Sequence, residues 1–140
     1  MQQQISVITL SVADLARSRR FYTQGFGWTP VFSNDEISFY QMNGFILGTW
    51  SAQALTHDIG ETAPRPSGGF TIAHNVASHD AVEPLMAQLV KAGGRIARAA
   101  IEPPHGGYTG YVADPDGHMW EIAFNPAWPI SPEGYVTFAS

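Results

Sequence analysis

Apolar and polar positions along the chain follow a plan that occurs twice. Each copy predicts a strand, a helix and three further strands, from two-residue alternation in the strands and 3.6-residue periodicity in the helices. The predicted strands are 5–12, 28–32, 37–42 and 45–50 in the first copy, and 70–76, 95–101, 108–113 and 119–124 in the second. The first helix is predicted at 15–26, and the second between 78 and 93.

Caps and turns support this plan. Asp14 is placed as the N-cap of the first helix, and Ser78 or Asp80 as that of the second. Asn43-Gly44 predicts a tight hairpin, and Asp116-Gly117 predicts a turn at the corresponding place in the second copy. The chain is therefore predicted to be an α+β fold of two βαβββ modules that either share a core or pair across a dimer, because each alone would bury too little.

The predicted organisation of the 140 residues is a single domain. Module one covers about 5–50 and module two about 70–125. A connector at 51–69 contains a short helical turn at 52–55. A tail at 126–140 is expected to pack over the fold or on a partner subunit.

The two faces of each predicted sheet differ in character. One face carries large apolar side chains, which we assign to helix packing: Ile8, Leu10, Val12, Trp120, Ile122 and Phe124. The second helix is expected to turn these side chains inward: Val82, Leu85, Met86, Leu89 and Val90. The opposite faces are smaller and more polar, which suits either a ligand-facing wall or a sheet face in solvent.

Composition narrows the possible functions. Charged residues make up 14% of the chain, against roughly 25% in typical soluble domains. This indicates either apolar surface covered by a partner or lining a cavity, or a compact, weakly charged monomer. The net charge of -5 and seven scattered Lys and Arg residues argue against nucleic-acid binding. The absence of cysteine excludes disulfides and thiolate catalysis. With no signal peptide or membrane-spanning run in the sequence, a cytoplasmic protein without membrane contact is expected.

Two strings resemble motifs of the vicinal-oxygen-chelate (glyoxalase/bleomycin resistance) superfamily. Residues 10–18 (LSVADLARS), followed by Phe21-Tyr22, resemble the opening of one of its modules, and 114–121 (DPDGHMWE) resemble the closing hairpin. The resemblance covers about 5–125. It implies a half-open barrel of paired modules, completed or doubled in a homodimer, that takes a small molecule.

Metal-dependent members of that family hold one divalent ion with four ligands, two in first strands and two in last strands. The resemblance carries these positions to Val7 and Gly48 in module one, and to Thr71 and Glu121 in module two. Only Glu121 is a strong ligand, whereas a catalytic zinc uses about three protein groups. The sequence therefore predicts no metal and no other cofactor.

The five histidines do not supply the missing ligands. His74 is expected to face the helix layer, and His57, His79 and His118 are expected to be surface or packing residues. His105 lies in a loop that enters a strand of the predicted wall. A place at the cavity mouth and a solvated loop position are both open for it.

The predicted ligand-binding wall combines small, polar and aromatic side chains, with Trp128 as a further aromatic candidate. Its members are Val7, Thr9, Gly48, Trp50, Thr71, Ala73, Asn75, Tyr108, Tyr111 and Glu121. An apolar cavity disfavours the charged form of a carboxylate. Glu121 therefore suits a general acid or base, a hydrogen-bond partner for a ligand, or a residue bonded only to protein.

Two functions fit this wall. The first is a metal-independent protein that binds a small organic molecule, similar to the drug-sequestering members of the family. The alternative is a glyoxalase-like lyase or isomerase with Glu121 and His105 as catalytic residues. A metal-dependent dioxygenase or glutathione-dependent enzyme is disfavoured by Val7, Gly48 and Thr71.

Overall fold

The computed structural model describes residues 1–60, 68–104 and 106–138, which form eight strands in two four-stranded sheets. The first sheet has the order β1-β4-β3-β2, and the second the order β5-β8-β7-β6. The strands are β1 Val7–Val12, β2 Phe32–Ser33, β3 Ile37–Gln41, β4 Ile46–Ser51, β5 Ile72–Asn75, β6 Arg95–Ile101, β7 Tyr108–Ala113 and β8 Met119–Phe124.

Both sheets have the same topology. The first strand of each module runs parallel to the last, and the other pairs are antiparallel. Within the described ranges the two sheets share no strand pair and are not closed into a barrel. The fold is α+β with two βαβββ modules in a half-open arrangement, as predicted.

The first helix differs from its prediction in its second half. Helix α1, Leu15–Arg20, begins where the Asp14 carboxylate accepts a hydrogen bond from the Arg17 amide at 3.0 Å. It continues as a π-helical turn, Phe21–Gly25, rather than as an α-helix to residue 26. The Thr23 hydroxyl donates to the Arg19 carbonyl beside this turn. The turn contains Phe21 and Tyr22, which are adjacent in sequence and are both buried in the core.

The connector also differs, since it holds a full helix where a short turn was predicted. Helix α2, Ala52–Ile59, begins directly after β4, with the Ser51 hydroxyl accepting from the Ala54 amide at 3.3 Å. It ends at Gly60, whose φ of 78° closes the helix in the left-handed region. Residues 61–67 of the connector lie outside the described residues.

Strand β2 is shorter and later than the predicted strand 28–32. Trp28 leaves the sheet edge to stack on Phe26, with ring centroids 4.2 Å apart. Pro30 has no amide to donate to a neighbouring strand. The Val31 amide donates to the Phe39 carbonyl at 2.8 Å, and the strand begins at Phe32.

A single core joins the modules, which is one of the two predicted arrangements. It combines Leu10, Phe21, Tyr22, Tyr40 and Leu47 of module one with Val82, Met86, Leu89, Val112, Trp120 and Ile122 of module two. Helix α3, Val82–Lys91, follows a 3₁₀ turn at His79–Ala81 and contributes its inner side. Val90 is 39% exposed, so its predicted inward position is wrong. Helical spacing from Met86 and Leu89 leaves Val90 at the margin of the buried stripe.

The closing hairpin of module two is bonded to module one through buried polar groups. The Asp114 carboxylate accepts from the Tyr22 hydroxyl at 2.7 Å and from the amides of Asp116 and His118. The Trp120 indole donates to the same Tyr22 oxygen at 3.1 Å. Burial raises the pKa of the Asp114 carboxyl and raises the pKa of Tyr22 well above its usual value.

Two further contacts fix this hairpin against the beginning of α1. The Asp116 carboxylate accepts from the Ala13 amide at 2.8 Å and from the Arg17 guanidinium at 3.2 Å. The His118 ring nitrogen Nε2 lies 2.8 Å from the Ser11 carbonyl oxygen. The two strings that carry the family resemblance therefore contact each other directly.

No helix in the described part of the chain is both long enough and apolar enough to cross a membrane.

Candidate functional site

The predicted ligand wall is divided between the two sheets. In the first sheet Thr9 lies opposite Gly48, and in the second Ala73 lies opposite Glu121. Val7 and Thr71 each precede these pairs by two residues, on the same face of the strand. The four family positions therefore form two equivalent pairs, with one pair on each sheet.

These four positions do not form a donor set that fits a divalent ion. Val7 has no donor atom, and Thr71 offers only a neutral hydroxyl. At Gly48 a β-carbon would lie 3.3 Å from the ring of Phe39, so an aromatic side chain takes the space that a ligand would need. Among the described residues, no group of three His, Asp or Glu side chains is placed to hold a metal.

Glu121 is paired with a tyrosine. Tyr111 lies directly opposite Glu121 on the neighbouring strand, and its hydroxyl donates to the Glu121 carboxylate at 3.2 Å. Burial raises the pKa of Tyr111, and the Glu121 charge and hydrogen bond raise it further. The Arg98 guanidinium lies 5.2 Å above the Tyr111 ring and donates to Thr109. Glu121 is half-buried, and Tyr111 bonds to one of its two carboxylate oxygens.

A pocket of ≈ 430 Å³, the Glu121 pocket, opens beside this pair. Besides Glu121, its lining includes Ala73, Asn75, Thr109, Ala123, Asn125 and Trp128. The structure thus brings together three members of the predicted wall, and adds the indole that was a further candidate. The polar groups in this lining are a carboxylate, two amides and a hydroxyl.

The other predicted wall residues lie elsewhere. Val7, Thr9 and Gly48 share a face of the first sheet, away from the Glu121 pocket. Trp50 lies farther along β4, opposite Ser11 and Ile37. Thr71 is exposed just before β5.

Tyr108 and Tyr111 do not share a face. They are three residues apart on β7, and alternation sends them to opposite sides of the sheet. The Tyr108 hydroxyl donates to Glu83 of α3 at 2.9 Å, and its ring stacks on His79 at 4.0 Å. His105, the second catalytic candidate, lies outside the described residues.

The remaining histidines are surface or packing residues, as predicted. His74 faces the helix layer, edge-on to Phe26 at 5.4 Å and to Trp28 at 6.1 Å. Burial lowers its pKa. His118 is buried in the closing hairpin, and His57 is exposed on α2.

A second cavity was not predicted. It has a volume of ≈ 650 Å³ and lies between the modules; we call it the inter-module cavity. Its walls include Trp28, Tyr40, Leu47, Ile72, His74 and Trp120, and the tail residues Ile130, Gly134 and Val136 line it as well. One feature of the sequence could have indicated it. His74 is a polar residue in the otherwise apolar series Ile72, His74, Val76 on a helix-facing strand side.

Comparisons with known proteins agree with this geometry. The model of the Glyoxalase/Bleomycin resistance protein/Dioxygenase superfamily matches residues 4–122. The chain belongs to this superfamily. Among curated proteins, no relative matches.

Solved structures give a similar result. A glyoxalase-related enzyme from Fulvimarina pelagi has a TM-score of 0.97 and 58% identity, with 99% of this chain and 100% of that chain covered. Lactoylglutathione lyase from Agrobacterium tumefaciens has a TM-score of 0.71 and 18% identity over 94% of this chain and 100% of that chain. A glyoxalase/bleomycin resistance protein/dioxygenase family enzyme from Burkholderia phytofirmans PsJN has a TM-score of 0.72 and 19% identity over 85% and 96%. The last two share the fold alone.

Proposed function

We propose that the protein binds a small organic molecule in the Glu121 pocket without a metal ion. The observation that carries the proposal is the donor set at the four family positions. Three of them lack a strong ligand, and the remaining carboxylate accepts a hydrogen bond from Tyr111. A carboxylate held by a protein donor and open on one side binds donor groups well.

The lining of the pocket limits the chemistry of this molecule. The carboxylate of Glu121 favours a ligand with an amine or another strong hydrogen-bond donor and disfavours an anion. The Trp128 indole supplies an apolar wall for a flat group, and the amides of Asn75 and Asn125 supply further polar contacts. An alkylamine attached to a flat aromatic ring combines these features.

A second copy of the chain is proposed to complete the site. The equivalent face of the first sheet carries exposed apolar side chains, with Val7 49% and Phe32 50% exposed. Burying such side chains in a homodimer is favourable. A homodimer would also cover part of the exposed apolar surface, which agrees with the low content of charged residues in the chain. A cytoplasmic location remains a prediction from the sequence.

The alternative function is a glyoxalase-like lyase or isomerase. The observation that favours it is the 58% identity to a protein described as a glyoxalase-related enzyme. In this proposal Glu121 is the general acid or base, and Tyr111 holds the carboxylate in position. His105 stays a second candidate.

Binding of tryptamine and indole-3-acetate, followed by saturation-transfer NMR, tests the first proposal. The two probes share an indole ring but carry opposite charges. We expect tryptamine to bind in preference, and Glu121→Gln to weaken it by roughly tenfold, about 1.4 kcal/mol. Tyr111→Phe keeps the carboxylate but removes its protein donor, so it should weaken tryptamine less than Glu121→Gln does. Equal binding of both probes, or tryptamine binding that Glu121→Gln leaves unchanged, would contradict the proposal.

Turnover separates the alternative from plain binding. Formation of S-lactoylglutathione from methylglyoxal and glutathione is the reaction to assay, with protein treated with a chelator. Turnover that Glu121→Gln abolishes, while the variant unfolds at the wild-type temperature, would establish the enzyme function.

A further inference from the structure

The inter-module cavity and the Glu121 pocket lie on opposite sides of the second sheet. Ile72, His74 and Trp120 line the cavity, and these residues alternate along their strands with Ala73 and Glu121. Because successive side chains of a strand point to opposite faces, Glu121 does not line the cavity, although Ala73 and Asn75 of the edge strand β5 border both pockets. The family positions do not contribute to it.

The walls of the cavity combine aromatic and aliphatic side chains with the uncharged polar residues Thr29, Gln41, Asn43 and Asn75, and none of the described residues that line it is Asp, Glu, Lys or Arg. The Trp28 ring is stacked on Phe26 with an interplanar angle of 10° and meets the Trp120 ring edge-on at 5.6 Å. These contacts fix both indoles. A charged ligand would lose its hydration here without a counter-charge, whereas a flat apolar molecule would not.

His74 is the polar group best placed to orient such a molecule. Burial lowers the pKa of the His74 imidazole. The imidazole is therefore neutral near pH 7, with one nitrogen that donates and one that accepts. Few, well-placed polar groups in an apolar cavity are typical of ligand sites.

The size of the cavity argues against a packing defect. Protein interiors are close-packed, and voids much larger than a water molecule are few. A volume of ≈ 650 Å³ lies instead within the range of small-molecule pockets, about 300–1,000 Å³.

The C-terminal tail forms one side of the cavity and makes few contacts with the rest of the fold. The Asn43 side chain donates to the Glu133 carbonyl at 3.2 Å, and a single bridge joins Ile130 to Val136 within the tail. Tyr135 is 55% and Phe138 72% exposed. A segment with so little buried surface opens at low free-energy cost.

We infer that the inter-module cavity is a second binding site, for an uncharged, flat aromatic molecule that bonds to His74, and that the C-terminal tail is its lid. This inference is independent of the function proposed for the Glu121 pocket.

Fluorescent probes of matched shape test the inference with the full chain. N-phenyl-1-naphthylamine is uncharged and carries one N–H donor, and 8-anilinonaphthalene-1-sulfonate adds a sulfonate to the same rings. We expect the uncharged probe to bind at least tenfold more tightly, about 1.4 kcal/mol. Energy transfer from tryptophan to the bound probe should survive Trp128→Phe, because Trp28 and Trp120 line the cavity.

Substitutions locate the bound probe. Val136→Phe fills the cavity from the partly exposed tail, so it leaves the core intact, and should weaken the uncharged probe by about tenfold. Val90→Phe, in the apolar groove between α3 and β6, is the matched control and should have no effect. His74→Leu should weaken binding a few-fold while retaining the apolar wall.

Three results would overturn the inference. They are no binding of the uncharged probe, binding that Val136→Phe leaves unchanged, or binding that Val90→Phe weakens equally. Binding of the uncharged probe that Glu121→Gln abolishes would place the probe in the Glu121 pocket and would also contradict the inference. The tryptamine measurement reports on the Glu121 pocket separately, so failure at one site does not decide the other.

Discussion

The two modules have the same topology but opposite roles. In module one the family position on the last strand is Gly48, and the Phe39 ring packs over it. In module two the equivalent position is Glu121, bonded to Tyr111 and open to a pocket. The same strand register therefore supports a filled apolar face in one sheet and a polar pocket in the other. Topology preserves the positions, while the side chains decide the chemistry.

The two closing hairpins also differ in how deeply they are buried and in what they bond to. Asn43 of module one is exposed and bonds to the tail. Asp114 of module two is buried and accepts hydrogen bonds from Tyr22 and from two amides of its own hairpin. The hairpin of module two is thus hydrogen-bonded to the core of module one through buried groups.

The largest effect is expected at this hairpin. Asp114→Ala leaves the Tyr22 hydroxyl and two amides without their acceptor, and each buried unpaired group costs about 1–3 kcal/mol. We expect a loss of roughly 3 kcal/mol or more in the free energy of unfolding by urea. Asn43→Ala is the matched control and should cost less than about 1 kcal/mol. Equal losses in the two variants would mean that the hairpins play equal roles.

A smaller loss in the free energy of unfolding is expected from substitutions on the faces of the two sheets. Gly48→Ala forces the Phe39 ring to move by a few tenths of an ångström, and overpacking of this kind costs about 1 kcal/mol. Glu121→Ala is expected to stay within about 0.5 kcal/mol of wild type, since a half-buried side chain at the wall of an open pocket contributes little to stability. Thermal unfolding of the two variants checks the contrast. A Glu121→Ala variant less stable than Gly48→Ala would make Glu121 a structural residue.

The smallest effect is expected on how the stability of the protein depends on pH. His74 occupies the position that Leu10 has in module one, and burial lowers its pKa. The unfolded chain takes up a proton near the usual pKa of about 6.5, whereas the folded chain takes it up only at lower pH. The stability that depends on neutral His74 is thus present above about 6.5 and is lost as the pH falls through the folded pKa. Among the described residues of the lining, Tyr40 is the only other titratable one.

His74→Leu makes module two resemble module one and should flatten the fall in stability between pH 7 and the acid range. Denaturation midpoints measured at several pH values test this. A slope that matches the wild type would show that His74 is equally easy to protonate in the folded and unfolded chain.

Much of the fold could be predicted from the sequence because alternation and turn chemistry are local. Strands β6, β7 and β8 have the predicted bounds. The π-helical turn and the late start of β2 could not be predicted, because they depend on where Phe26 and Trp28 pack against module two.

The candidate site was predictable only in part, for the same reason. Ala73 and Glu121 meet because parallel pairing of a first and a last strand follows from the module plan. The separation of Thr9 and Gly48 from Glu121 depends on how whole modules pack, as does the inter-module cavity. The Tyr22–Asp114 bond joins residues 92 positions apart, and no local pattern specifies it.

Metal content is the measurement that tests the central claim most directly. Elemental analysis of gently purified protein, repeated after incubation with Zn²⁺, Ni²⁺, Mn²⁺ and Fe²⁺, is expected to give far less than one ion per chain. The reason is that a lone carboxylate with waters holds such ions weakly. A tightly held ion near one per chain that is lost in Glu121→Gln would contradict the account. It would make metal-dependent catalysis at Glu121 the leading function.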